Sequence, residues 1–74
     1  MLKNSSLAEA IRRTAYFLWE QDGRPEGESF NYWLRAKDMH QRQLAYDRWL
    51  AEGTPPGRAE ANWLEAADEI EDDK

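Results

Sequence analysis

Residues 11–40 align on residues 41–70 with a constant offset of 30 and no gap. Eleven positions are identical: Arg12/Arg42, Ala15/Ala45, Tyr16/Tyr46, Trp19/Trp49, Gly23/Gly53, Pro25/Pro55, Gly27/Gly57, Trp33/Trp63, Leu34/Leu64, Ala36/Ala66 and Asp38/Asp68. The matches take in all four Trp, all four Gly and two of the three Pro, whereas chance similarity would fall mainly on Ala, Glu and Arg. A short fixed period means one supersecondary unit repeated, each copy burying a face against its neighbour.

The unit itself is legible. Ala15 to Asp22 has helical spacing, Gly23-Arg24-Pro25-Glu26-Gly27 breaks it, and Phe30 to Asp38 resumes it. Gly23 stands where a helix C-terminus wants a left-handed residue, and Pro25 blocks continuation. Gly27 frees the backbone to turn again, and Ser29 is the expected N-cap of the next helix. The second copy repeats the breaker with Gly53, Pro55, Pro56 and Gly57 but carries Ala59 in place of Ser29. With less help from a cap, its second helix is expected to start earlier.

Between the copies nothing interrupts a helix, because Ser29 to Glu52 contains neither Gly nor Pro. The expectation is therefore a small all-α, three-helix domain built from two tandem 30-residue helix–turn–helix repeats, with helices at about 6–22, 29–52 and 58–71. Ser6 and Glu9 form a capping box at the first start. Residues 1–74 read as a single domain, with repeats 11–40 and 41–70 and a disordered acidic tail over 71–74. The segment Lys37 to Gln43 is almost wholly polar. It either bridges two mini-cores or hides a kink, and the absence of a breaker favours the unbroken helix.

Ile11, Ala15, Leu18 and Trp19 share one helical side, and Phe30, Trp33 and Leu34 are expected to face them across the turn. In the second copy Ala45, Tyr46, Trp49 and Leu50 would face Trp63, Ala66, Ala67 and Ile70. Trp19, Gly23, Pro25 and Gly27, with Trp33, form the structural turn and core of copy one. Trp49, Gly53, Pro55, Gly57 and Trp63 do so in copy two. An aromatic cage of Trp19, Trp33 and Tyr16 is the functional alternative, but Trp packed on Pro to pin the turn is the expected role.

Composition narrows function. The longest apolar run, Ala15–Trp19, is far short of a membrane span of roughly 20 residues, and Met1–Ser6 lacks the apolar stretch of a secretory signal. Without Cys there is neither a disulfide framework nor a thiolate metal site, and His40 is the only histidine, expected on the surface. Ser5, Ser6 and Ser29 read as caps, with no nucleophile elbow and no phosphate-cradling loop. The chain is expected to be no enzyme and to need no cofactor, metal or small-molecule substrate.

Residues 1–37 hold six basic and five acidic side chains, whereas residues 38–74 hold four and ten. Such an acidic half opposes phosphate binding. Nucleic-acid binding through Arg12, Arg13, Arg24, Arg35 and Lys37 is therefore the rival to a protein-interaction module. The expected partner is another protein or a second copy. The expected contact surfaces are Arg24, Tyr32, Arg35 and Met39, and the acidic C-terminal helix. Arg24, in the turn, can cap carbonyls or stack on Trp19, a role that Thr54 cannot share.

The run Ile11-Arg12-Arg13-Thr14-Ala15-Tyr16-Phe17-Leu18-Trp19-Glu20, then Gly23-Arg24-Pro25-Glu26-Gly27, then Trp33-Leu34-Arg35-Ala36, resembles a short bacterial module. This is the domain of unknown function 2934 family. The resemblance covers residues 8–40, and 41–70 resemble it in weaker form, departing at Leu50, Thr54 and Glu65. It implies a bacterial, cytoplasmic protein and supplies no catalytic residue.

Overall fold

A computed structural model of the chain describes residues 5–71. It contains three helices: α1 (Ser5–Gln21), α2 (Ser29–Ala51) and α3 (Ala59–Glu71). The turns between them have the same backbone course, thirty residues apart. α2 packs against α1 through its first half and against α3 through its second. The molecule measures 42 × 31 × 14 Å, little more than one helix diameter thick.

α2 runs unbroken for 23 residues. Its polar centre does not separate two cores. Ile11 of α1, Ala36 of α2 and Ile70 of α3 form one buried cluster, with Leu7, Ala15, Leu18, Trp33 and Leu44 packed around it. The central polar side chains are satisfied across the helices. Gln41 is buried, accepts from Lys37 Nζ at 3.4 Å and donates from Nε2 to the Trp63 carbonyl at 3.1 Å. His40 is half-buried against α1, its Nε2 lying 2.8 Å from Thr14 Oγ1, so it is not the free surface residue expected of it.

Several other expectations need correction. Ser29 does not cap α2; it is the first helical residue, and Glu28 precedes it without a side-chain cap. α3 starts at Ala59, in the register of Ser29, and not earlier. The backbone supplies the start in both copies, since Tyr32 N donates to Glu28 O at 3.1 Å and Asn62 N to Arg58 O at 2.9 Å. The capping box at Ser6 rests on a side chain outside the described residues. Glu71 belongs to α3, and residues 72–74 of the expected acidic tail lie outside the described residues.

The tryptophans border the core instead of filling it, Trp33 packing directly against its buried cluster. All four are half-buried, while the buried apolar side chains among the described residues are Ile11, Tyr32, Ala36, Ala66 and Ile70. Ala36 and Ala66 are completely enclosed, at 0% exposure, and a packed interior leaves no room for an indole there. Phe30, Leu34, Tyr46 and Leu50, expected across the hairpin seams, are exposed instead. A single layer of helices has more outward face than inward, so part of each apolar set must stay in water.

Candidate functional site

Each helix–turn–helix begins with the same backbone device. The Gly23 N–H donates to the Glu20 carbonyl at 3.1 Å and the Arg24 N–H to the Trp19 carbonyl at 2.9 Å, which closes a Schellman motif. Gly53 and Thr54 repeat it on Leu50 and Trp49 at 3.1 and 2.9 Å. Gly23 (φ +90°) and Gly53 (φ +89°) take the left-handed position as the spacing predicts, and Gly27 and Gly57 do so again at the second bend. Sequence reasoning missed that Arg24 (φ +61°) and Thr54 (φ +55°) are left-handed too.

The indole of the preceding turn locks this bend. Trp19 Nε1 donates to the Pro25 carbonyl at 2.7 Å, and Trp49 Nε1 to the Pro55 carbonyl at 2.9 Å. Proline fixes the approach of that carbonyl, and the indole has only one donor to give. Trp19 and Trp49 therefore pin the turns. Each also carries a tyrosine from the turn before it, Tyr16 on Trp19 at 5.5 Å and Tyr46 on Trp49 at 5.9 Å, tilted by 40° and 39°.

These rings wall two equivalent clefts. One, of about 300 Å³, is lined by Ala15, Tyr16, Trp19, Ser29 and Tyr32. The other, of about 190 Å³, is lined by Ala45, Tyr46, Trp49, Ala59 and Asn62. Every lining residue of one stands thirty positions from a lining residue of the other. Both are apolar, and the exposed Tyr16 and Tyr46 give each an aromatic rim.

The electrostatics beside the clefts differ. In the first hairpin Tyr32 Oη donates to Asp22 Oδ2 at 2.6 Å, and Arg35 Nη1 donates to the same oxygen at 3.3 Å while lying 5.1 Å over the Tyr32 ring. The Tyr32 hydroxyl, then Arg35, hold the Asp22 carboxyl below the ordinary range. The same bond to Asp22 raises the Tyr32 phenol. In the second hairpin Asn62 and Glu65 replace Tyr32 and Arg35, and Arg58 replaces Glu28. Arg58 now serves the equivalent carboxylate, Glu52, at 3.1 Å, and its hydrogen bond lowers the Glu52 carboxyl. Arg48 adds contacts to Glu69 at 2.8 Å and to Glu65 at 3.7 Å. Opposite charge exchanges at 28/58 and 35/65 were the available sequence signal.

The expected surface residues divide accordingly. Arg24 is exposed, pairs with Glu20 and lies 5.6 Å over the Trp19 ring, as its position in the turn predicts. Arg35 is exposed but tied to Asp22. Met39 is half-exposed beside a shallow pocket with Thr14, His40 and Gln43. Tyr32 is corrected: it is buried, because it shares the α1-facing side of α2 with Ala36, four residues on. Trp33 packs against the core and stacks on Phe30 at 6.4 Å, away from the cleft, so no Trp19–Trp33–Tyr16 cage forms.

The profile of a family described as "Protein of unknown function (DUF2934)" matches residues 6–39 and again residues 42–72. The chain belongs to this family. It carries two adjacent DUF2934 copies, and the junction between them falls within α2, so a single helix serves both. No curated protein and no solved structure matches the chain.

Proposed function

We propose that this DUF2934 chain is a non-enzymatic protein-binding module. The observation that carries the reading is the pair of apolar clefts built at one register of the repeat, each rimmed by an exposed tyrosine set on a half-buried tryptophan. Concave apolar surface with an aromatic rim is what a protein partner's side chain fills. The lining carries no carboxylate, imidazole or amine on which acid–base or nucleophilic chemistry could be built.

Charge favours a protein over a nucleic acid. Of the rival's cations, Arg13 is paired with Glu9, Arg24 with Glu20 and Arg35 with Asp22, and Lys37 donates to Gln41. Cations already committed to carboxylates release few counterions on meeting phosphate. No helix of the described residues is long and apolar enough to cross a membrane. The reading takes the chain to act in the cytoplasm, as the resemblance implies.

A photo-activatable amino acid placed at Tyr16 or Tyr46, in cells that make the protein, tests this. Discrete protein adducts are expected at both positions and not at the exposed Arg42, which lies on α2 outside both clefts. No adduct, or the same pattern at Arg42, would overturn it.

A further inference from the structure

The two clefts differ most at one position of the repeat, Tyr32 in the first and Asn62 in the second. The Tyr32 ring is long enough to bring its hydroxyl within 2.6 Å of Asp22, just past α1, so that polar group is satisfied. Asn62 has the same register but a much shorter side chain. The carboxylate it would have to reach, Glu52, has both oxygens bonded by Arg58, at 3.4 and 3.1 Å. Arg58 chiefly holds the Glu52 carboxyl down; the Asn62 amide adds a little without being placed for a hydrogen bond. Asn62 is 1% exposed, and neither its Nδ2 nor its Oδ1 has a hydrogen-bond partner among the described residues.

An unpaired buried amide works against folding, and Asn is a poor helix former besides. A group that enters the cleft and completes the amide recovers that loss, but only while it is bound. The rest of the wall is Ala45, Tyr46, Trp49 and Ala59, and the Trp49 N–H is already given to Pro55. At about 190 Å³ the cleft is smaller than the roughly 300–1,000 Å³ of small-molecule sites, and is sized for one side chain. That side chain needs an apolar stem against the rings and, at its tip, a donor for Oδ1 beside an acceptor for Nδ2. A carboxylate has acceptors only, an ammonium or guanidinium has donors only, and a carboxamide has both. Glutamine, one methylene longer than asparagine, has the stem to pass the Tyr46 rim and meet an amide this deep.

We propose that the second cleft is a carboxamide pocket, receiving a glutamine side chain of a protein partner on both amide atoms of Asn62, and that the first cleft is not. The assignment rests on the reading of the chain as a protein-binding module and names the chemistry that its second cleft selects.

Propanamide, the glutamine side chain on its own, tests this against its isomer N-methylacetamide, whose N–H and C=O point opposite ways. Each is titrated to roughly 100 mM into the isotope-labelled full chain and followed by NMR, a range suited to fragments of five heavy atoms. Propanamide is expected to shift the Asn62 side-chain amide and the Trp49 indole signals and to leave the Trp19 indole in place. N-methylacetamide is expected to bind at least about tenfold more weakly. Asn62→Leu, of similar shape, is expected to lose the response at Trp49 and to unfold at higher urea than wild type, because the unpaired amide is gone. No shift with propanamide, an equal response to the isomer, or an Asn62→Leu chain less stable than wild type overturns the proposal, the last because the amide is then satisfied within the fold. Where the variant does not fold, the two isomers on the wild-type chain still decide. The protein-binding reading is judged separately, by adducts at Tyr16 and Tyr46 that do not depend on Asn62.

Discussion

Ile11 and Gln41 occupy the same position of the repeat, and both are almost fully buried, at 1% and 4% exposure. One is held by dispersion and the other by hydrogen bonds to Trp63 and Lys37. Ile11→Ala should cost about 2–4 kcal/mol, through lost transfer energy and a residual cavity. Gln41→Ala should cost about 1–2 kcal/mol, since the Trp63 carbonyl loses one partner. Urea denaturation monitored by helicity separates the two.

The pinning of each turn by an indole N–H predicts matched effects. Trp19→Phe and Trp49→Phe each keep an aromatic ring and delete a bond to Pro25 or Pro55. Each should cost about 1 kcal/mol, and the double variant about the sum, because the two turns share no partner. A double variant far less stable than the sum would mean the turns are coupled through α2.

Thr54 combines a β-branched side chain with φ +55°, a conformation such residues rarely adopt. Thr54→Gly should relieve it and stabilise the chain by roughly 0.5–1 kcal/mol, net of glycine's greater freedom in the unfolded chain. Arg24→Gly should gain less, since it also removes the Glu20 ion pair and the guanidinium over Trp19. Thermal unfolding of the two variants checks the ranking.

The bond from Tyr32 to Asp22 makes stability depend on pH. Folding lowers the Asp22 carboxyl, so its contribution is present above the unfolded aspartate range and lost as pH falls through the depressed folded value. Folding raises the Tyr32 phenol, so its contribution is present below the unfolded tyrosine range and lost as pH rises through the folded value. Tyr32→Phe should move the Asp22 carboxyl back up, as read by NMR titration of its side chain. It should also flatten the acid limb of the stability profile.

The repeat, the three helices, the continuity of α2 and the glycine-led turns are legible in the residues, because they depend on local backbone preference. A Gly–x–Pro–x–Gly run interrupts a helix wherever it stands, and thirty residues on it does so again. The reach of Trp19 and Trp49 to the turns follows from spacing too, since donor and carbonyl lie only six residues apart. What each helix turns toward a distant partner is a different matter. Tyr32 and Phe30 are both aromatic and two residues apart, yet one is buried and the other is the most exposed large apolar side chain named on α2. Only the packing of α1 and α3 along different lines of α2 decides between them. The same packing made Ala36, Ala66 and Gln41 core and set the tryptophans at the rim, because close helix contact rewards a small or hydrogen-bonded side chain over a large one. Composition cannot carry that information; it arises when three helices share one layer.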